Sequence, residues 1–215
     1  MTTLLHTRRA LGVGTAALIA LAVALPASGR DVAQPGKPAP DFTAKDSAGR
    51  DVALSSFKGK TVVLEWTNHD CPYVRKHYDA GNMQALQQEA TAKGVVWLSI
   101  VSSAPGMQGH VNGLEAEKLT ADRRALPTAV LLDPQGRVGR AYGATATPHM
   151  YVIDTAGNLA YAGAIDDKPS TNRDDIKGAR NYVREAIVAV AAGQPVKTAS
   201  TRAYGCSVKY GDPRS

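Results

Sequence analysis

Cysteine is scarce in this chain: Cys71 and Cys206 are the only two among 215 residues. That excludes a disulfide-rich scaffold, which needs many cysteines in a short chain. It also excludes a short-spaced cysteine pair of the kind that holds zinc. Basic residues are not gathered into a stripe. The net charge of +6 is spread along the chain, and no nucleic-acid partner is expected. There is no internal repeat, glycine-rich phosphate loop, metal-carboxylate cluster or Ser-His-Asp order. No continuous apolar run reaches the ~20 residues a membrane-spanning helix needs. The longest, Ala10 to Leu25, has 16.

That run has a meaning of its own. Arg8 and Arg9 precede it, and Pro26-Ala27-Ser28-Gly29 follows it. A basic start, an apolar stretch and small residues at a cut site form a secretory signal. Residues 1–29 are therefore expected to be removed after Gly29, leaving a net charge of +4. The paired arginines also resemble a twin-arginine export signal. The mature protein is expected in the periplasm or outside the cell, with no stable membrane insertion once the signal is gone. In such an oxidising compartment two cysteines can persist as a disulfide. The rest divides into a domain over 30–195 and a tail over 196–215 that carries Cys206. The apolar content of 44% suits one globular core.

Periodicity orders the domain. Residues 30–41 hold three prolines and read as an extended lead-in. A hairpin is predicted within 42–60, turning at Ser47-Ala48-Gly49-Arg50. Thr61–Trp66 and Val95–Val101 are nearly continuous apolar runs, the pattern of strands buried on both faces. Pro72 opens a helix, since proline suits a first-turn position. Gly81 interrupts it, and Asn82 is placed to cap a second stretch through Ala92. A helix follows over Leu114–Arg124. Strands are predicted at Thr128–Leu132, His149–Asp154 and Leu159–Gly163, the last two joined by a tight turn. Asp174–Ala192 reads as one amphipathic helix with Ile176, Ala179, Val183, Ile187 and Val190 on its apolar face. The fold class is α/β, a central mixed sheet flanked by helices with an N-terminal hairpin.

Cys71 stands at the start of the helix opened by Pro72, just past a buried strand, where α/β sheets place their chemistry. Unsatisfied N–H groups and the helix dipole stabilise a thiolate there. His69, Arg75, Lys76 and His77 add basic groups nearby. The alternative is a buried, inert thiol.

The segment VVLEWTNHDCPYVRKHY resembles the strand, loop and active-site helix of the thioredoxin-like superfamily, in its redoxin (peroxiredoxin-like) branch. Cys71-Pro72-Tyr73-Val74 resembles the CPYC of glutaredoxins with Val74 in place of the second cysteine. Thr147-Pro148-His149-Met150-Tyr151-Val152-Ile153-Asp154 resembles the cis-proline loop and following strand of that fold. The resemblance covers about residues 36 to 192. It implies a thioredoxin fold, a buried acid at Glu65 that aids proton transfer, and Pro148 across from Cys71. It also implies that the Thr147 backbone pairs with a substrate strand. Peroxide-reducing members carry a proline, a Thr or Ser, and a later arginine. Leu64, Asn68 and Pro148 occupy those places here, and Arg75 is the candidate substitute donor.

The expected activity is a thiol-dependent oxidoreductase acting on a thiol or disulfide protein, without a cofactor. Cys71 is the nucleophile, Cys206 the resolving thiol and Glu65 the third catalytic candidate. Thr147, Pro148, Arg75 and His69 are the substrate-binding candidates. Two alternatives remain: peroxide reduction, and copper binding by Cys71 with His69, His77, His110 and His149. Asp166-Asp167 is expected only to end a strand or cap a turn.

Overall fold

The computed structural model describes residues 1–2 and 32–212. The predicted signal segment falls almost wholly outside the described residues. Two short strands, β1 (Thr43–Asp46) and β2 (Asp51–Ala53), form the predicted hairpin. The Asp46 carboxylate accepts from Ala48 and Arg50 N–H and so closes its turn. Then come β3 (Val62–Trp66), α1 (Pro72–Asp79), α2 (Asn82–Thr91) and β4 (Val96–Val101). α3 (Gly113–Asp122), β5 (Ala129–Leu132), α4 (Arg137–Tyr142), β6 (Ala146–Thr147), β7 (His149–Ile153) and β8 (Leu159–Gly163) follow. α5 (Tyr182–Ala191) and β9 (Cys206–Ser207) complete the order.

Seven strands form one mixed sheet in the order β2-β1-β5-β4-β3-β7-β8. β3, β4 and β5 run parallel, while β7 lies antiparallel to β3 and β8 to β7. β3 lies inside the sheet between β4 and β7, and all five of its residues are buried. Its alternation divides the core. Val63 faces α1, α2 and α5, against Val74, Met83, Leu86 and Val183. Val62, Leu64 and Trp66 face the other side, with Leu98, Ile100, Val138 and Tyr142. Each such side chain contributes about 1.5–3 kcal/mol by leaving water. This is why the continuous apolar runs read correctly as strands covered on both faces.

Four elements depart from the sequence pattern. Asn82 does not cap α2. Gly81, at φ 72°, holds that place in the left-handed conformation, and the Asn82 amide turns to His77 Nδ1 at 2.8 Å. The helix predicted over 174–192 is broken in two. A 3₁₀ stretch, Arg173–Gly178, ends at Ala179, whose ψ of 137° is extended. Arg180 N–H then donates to Asp167 Oδ1, Asp166 bridges Asn181, and Asn181 Oδ1 caps α5 by accepting from Arg184 N–H. Pairing across the loop outcompetes helix continuation at Gly178-Ala179, where glycine weakens the helix. The third departure, α4, is hidden by its brevity and by Gly139. A Cβ at Gly139 would lie 2.2 Å from Tyr210 Oη and 2.9 Å from Ser102 Oγ. Lastly, the aperiodic tail does not stand apart: β9 pairs with β6 as a two-stranded sheet.

Asp133 fastens α4 to the sheet. Its carboxylate accepts from Ser102 Oγ (2.6 Å), Gly139 N–H (2.9 Å) and Val138 N–H (3.2 Å). Ser102 in turn accepts from Trp66 Nε1. Asp133→Ala removes a cap and orphans buried donors, so a loss of about 2 kcal/mol is expected in urea unfolding.

A covered thiol site

Cys71 is the N-cap of α1, and its thiol has no exposure to solvent. The loop before it is built by Asn68. Its Oδ1 accepts from Asp70 N–H and its backbone carbonyl from Cys71 N–H. Gly109 presses on this loop so closely that a Cβ there would lie 2.3 Å from the Asn68 side chain. The Cys71 thiol donates to the Thr147 carbonyl at 3.0 Å. Thr147 precedes Pro148 through a cis peptide bond.

Cys206 arrives at the same place from the tail. β9 lies antiparallel on β6, with Cys206 opposite Thr147 and Ser207 opposite Ala146. Gly205 makes this approach possible. Its φ is 138°, and a Cβ on it would stand 2.0 Å from the Thr147 carbonyl oxygen. Val208 N–H donates to Thr145 O, Lys209 O accepts from Ala104 N–H, and Tyr210 Oη donates to Ala144 O. Both cysteines are free thiols in this structure.

The other site candidates scatter. Glu65 is fully buried on the Cys71 side of β3, and its carboxylate is occupied by four donors. They are Tyr78 Oη (2.8 Å), Trp97 Nε1 (2.8 Å), Ser99 Oγ (2.9 Å) and Gln87 Nε2 (3.2 Å), none of them a thiol. Arg75 points to solvent, and His69 lies 3.4 Å from Asp70. Lys76 runs against expectation, being 1% exposed. Its amine donates to Lys168 O and stands 3.9 Å from Asp166 Oδ2. Asp166 was expected only to shape a turn. It is 2% exposed and accepts from Lys168 N–H and from Tyr204 Oη. The sequence carries no signal for this cluster, since its members lie on three separated segments.

The profile of the AhpC/TSA family matches residues 35–162, which span both β3–α1 and the Thr147-Pro148 turn. The chain belongs to the AhpC/TSA family. The thioredoxin-like protein YneN of Bacillus subtilis is 30% identical over 66% of this chain and 80% of its own length. The thiol-disulfide oxidoreductase ResA of Geobacillus thermodenitrificans is 30% identical over 58% of this chain and 66% of its own. A crystal structure of an uncharacterised conserved protein from Geobacillus kaustophilus superposes with a TM-score of 0.73 at 25% identity. It covers 84% of this chain and 94% of that one. A structure from Sinorhizobium meliloti, at TM-score 0.70 and 22% identity, shares the fold over 83% of this chain and 95% of that one. The fold is thioredoxin-like, and this AhpC/TSA-family protein is a thiol-dependent oxidoreductase.

The two thiols of this family member differ in acidity. Burial pushes the Cys71 thiol up. Hydrogen bonds from the Cys206 thiol, the Thr147 side chain, and the Cys206 and Val74 N–H groups outweigh it and hold Cys71 below the ordinary thiol value. The Thr147 carbonyl opposes them, because it accepts the proton of the neutral thiol. Donors to the thiolate are the more numerous, and the lowered direction follows. Only the Val74 N–H belongs to the helix-start effect; Arg75 points to solvent, and His69 and Lys76 face other partners. Cys206 is pushed up to about 11, by burial and by Cys71 facing it. Removing one donor tests this account. In Cys206→Ser the hydroxyl still donates, whereas in Cys206→Ala the side-chain donor is gone and only the backbone N–H of residue 206 remains. Cys71 is expected to titrate higher in Cys206→Ala, as read by the pH dependence of its alkylation.

The four histidines considered as copper ligands go to separate partners. His77 Nε2 lies 3.4 Å from Tyr204 Oη, while His149 stacks on Tyr151. His110 Nδ1 contacts Ser103 O. Among the described residues no three His, Cys, Asp or Glu side chains gather as a metal site, so the copper alternative finds no ligand set. His77 and His149 are both lowered to about 4 by burial; for His77, Asp166 opposes the shift and Lys76 adds to it. Between pH 6.5 and about 4 the unfolded chain binds protons there that the folded chain refuses. Stability is thus expected to fall as pH drops through that window, and His149→Gln to flatten the slope, measured by urea unfolding at each pH.

Proposed function

We propose that this oxidoreductase carries out thiol–disulfide exchange outside the cytoplasm, with Cys71 as nucleophile and Cys206 as resolving thiol. One observation carries the reading: Cys206 is paired to the residue whose carbonyl holds the Cys71 thiol. The reaction has two displacements. The Cys71 thiolate attacks a protein disulfide, forming a mixed disulfide and expelling one substrate thiolate. Cys206 then loses its proton and attacks Cys71 Sγ, expelling the second substrate thiolate. The substrate gains two electrons and two protons, and the protein is left with a Cys71–Cys206 disulfide. An external dithiol resets it.

The acidity difference suits this order. Cys71 is the thiol that ionises first, so it attacks first. Its negative charge helps to hold the Cys206 proton in place. Once Cys71 is tied into a mixed disulfide that charge is gone, and Cys206 becomes easier to ionise when its turn comes. Glu65, saturated by four donors, enters as a buried anchor for α1 and α2 beside the site. ResA of G. thermodenitrificans is named for this same exchange, which supports the class of substrate. Among the described residues no helix is long and apolar enough to cross a membrane. Export rests on the sequence of residues 1–29.

Cys206→Ser is expected to accumulate the mixed disulfide with a disulfide-bearing protein, seen by intact mass. The wild type should yield a Cys71–Cys206 linkage in non-reducing peptide maps. Wild-type turnover in Cys206→Ser, or a linkage only between two chains, would remove Cys206 from the mechanism. Rapid turnover of hydrogen peroxide that disappears in Cys71→Ser would put peroxide reduction in place of exchange. N-terminal sequencing of the exported form is expected to begin after Gly29.

A further inference from the structure

Cys71 has no exposed surface, so any external reactant needs a neighbouring element to move. α1 is a poor candidate, because Val74, Lys76, His77 and Tyr78 all anchor it in the interior. The tail is pinned at two points. Upstream, Thr201 Oγ1 contacts Tyr161 Oη (2.6 Å) and accepts from Ala164 N–H (2.9 Å). Downstream, Val208, Lys209 and Tyr210 hold to the loops after β4 and α4. Between these anchors runs the short strap from Arg202 to Ser207, which includes Cys206.

Apart from Cys206, the strap sends one large side chain inward. Tyr204 Oη donates to Asp166 Oδ1 and lies near His77 Nε2. Its ring sits 5.8 Å from the Lys76 amine and edge-on to Tyr73. The receptor is costly to keep. Asp166 Oδ2 is buried without a hydrogen bond, 3.9 Å from both Lys76 and His77. A buried charge cluster of this kind is weak evidence of stability for its own sake. Here it faces one exchangeable guest, a tyrosine two residues from the resolving thiol.

We propose that Tyr204 is a positioning residue that latches the 202–207 strap: seated on Asp166 it closes Cys71 to external reactants and holds Cys206 ready, and its release opens the site locally. With Thr201 and Lys209 still anchored, the strap bulges outward without the tail leaving the domain. Cys206 is then carried away from Cys71 as the substrate enters, and returns with the latch to resolve the mixed disulfide. The inference rests on Cys71 being the reacting thiol.

The test uses full-length protein carrying Cys206→Ser, so that Cys71 is the sole thiol. Its alkylation by iodoacetamide is followed against pH. The plateau rate reads access, and the midpoint reads the thiol's acidity. Tyr204→Phe keeps the ring and loses the hydroxyl. It is expected to raise the plateau about tenfold or more, the scale of a lost hydrogen bond to a carboxylate. It should also raise the midpoint, because opening withdraws the residue-206 N–H from Cys71. Gly205→Ala drives the strand off the Thr147 carbonyl and supplies the open reference rate. Circular dichroism and the urea midpoint verify that both variants are folded. A folded Tyr204→Phe with an unchanged plateau overturns the latch. An unchanged plateau in Gly205→Ala overturns the strap as the cover. Iodoacetamide requires access alone. Failure of the exchange reading would instead appear as variants that alkylate fast yet form no mixed disulfide with a disulfide-bearing protein.

Discussion

The backbone of Thr147 serves two partners at once. Its carbonyl takes the Cys71 thiol, and the same residue pairs with Cys206 across β6 and β9. Everything about the site depends on these two contacts coinciding. They fix the distance between two thiols 135 residues apart in sequence without any covalent bond. They also decide what can stand next to Cys206: only a residue without Cβ fits at 205, because the strand crosses so near the Thr147 carbonyl. A tail held this way lowers the entropic cost of closing a long loop, since most of that cost is met when the tail docks.

Two buried carboxylates flank α1, and they play opposite parts. Glu65 sits in the sheet with four donors from β4, α1 and α2, a satisfied network of the kind that rigidifies a core. Asp166 sits beyond β8 with one oxygen unsatisfied, near two cationic or protonatable groups and a tyrosine of the tail. The satisfied carboxylate belongs to the fixed frame of the site. The unsatisfied one belongs to the part whose contacts come from a distant segment.

Most of the fold is legible in the sequence because it arises from local pattern. β3 and β4 announce themselves as unbroken apolar runs, and α1 by Pro72 after Cys71. The Thr147-Pro148 turn is legible by resemblance. What is not legible depends on long-range pairing. Arg180-Asn181 leaves the helical pattern because Asp166-Asp167 captures its backbone. The tail has no period, since its order comes from the edges it lies against, at Ala162, Thr145 and Ala104. Lys76 reads as a solvated base beside the thiol. Its burial follows only once Lys168 and Asp166 are folded over it. The same limit hides the cause of the Cys71 acidity: sequence proximity points to basic side chains, while the fold supplies donors from residue 206.

That change of cause alters the logic of the site. A thiolate stabilised by fixed basic side chains would keep its acidity whatever the tail did. Here two of the four groups that favour the thiolate arrive with the tail: the Cys206 thiol and the Cys206 N–H. Acidity and shielding therefore rise together when the tail docks. In the proposed closed state Cys71 is most ionised and least accessible; in the proposed open state it is accessible but keeps only the Thr147 side chain, the Val74 N–H and the helix start. Since attacking power needs both ionisation and access, a reactant that reaches Cys71 while leaving part of the β6 pairing intact meets the more reactive thiol. An extended segment lying along Thr147, as β9 does, can supply the same backbone donor that it displaces. A small molecule cannot. Under the proposed exchange mechanism, this arrangement favours polypeptide disulfides over small oxidants through the backbone of the incoming chain itself.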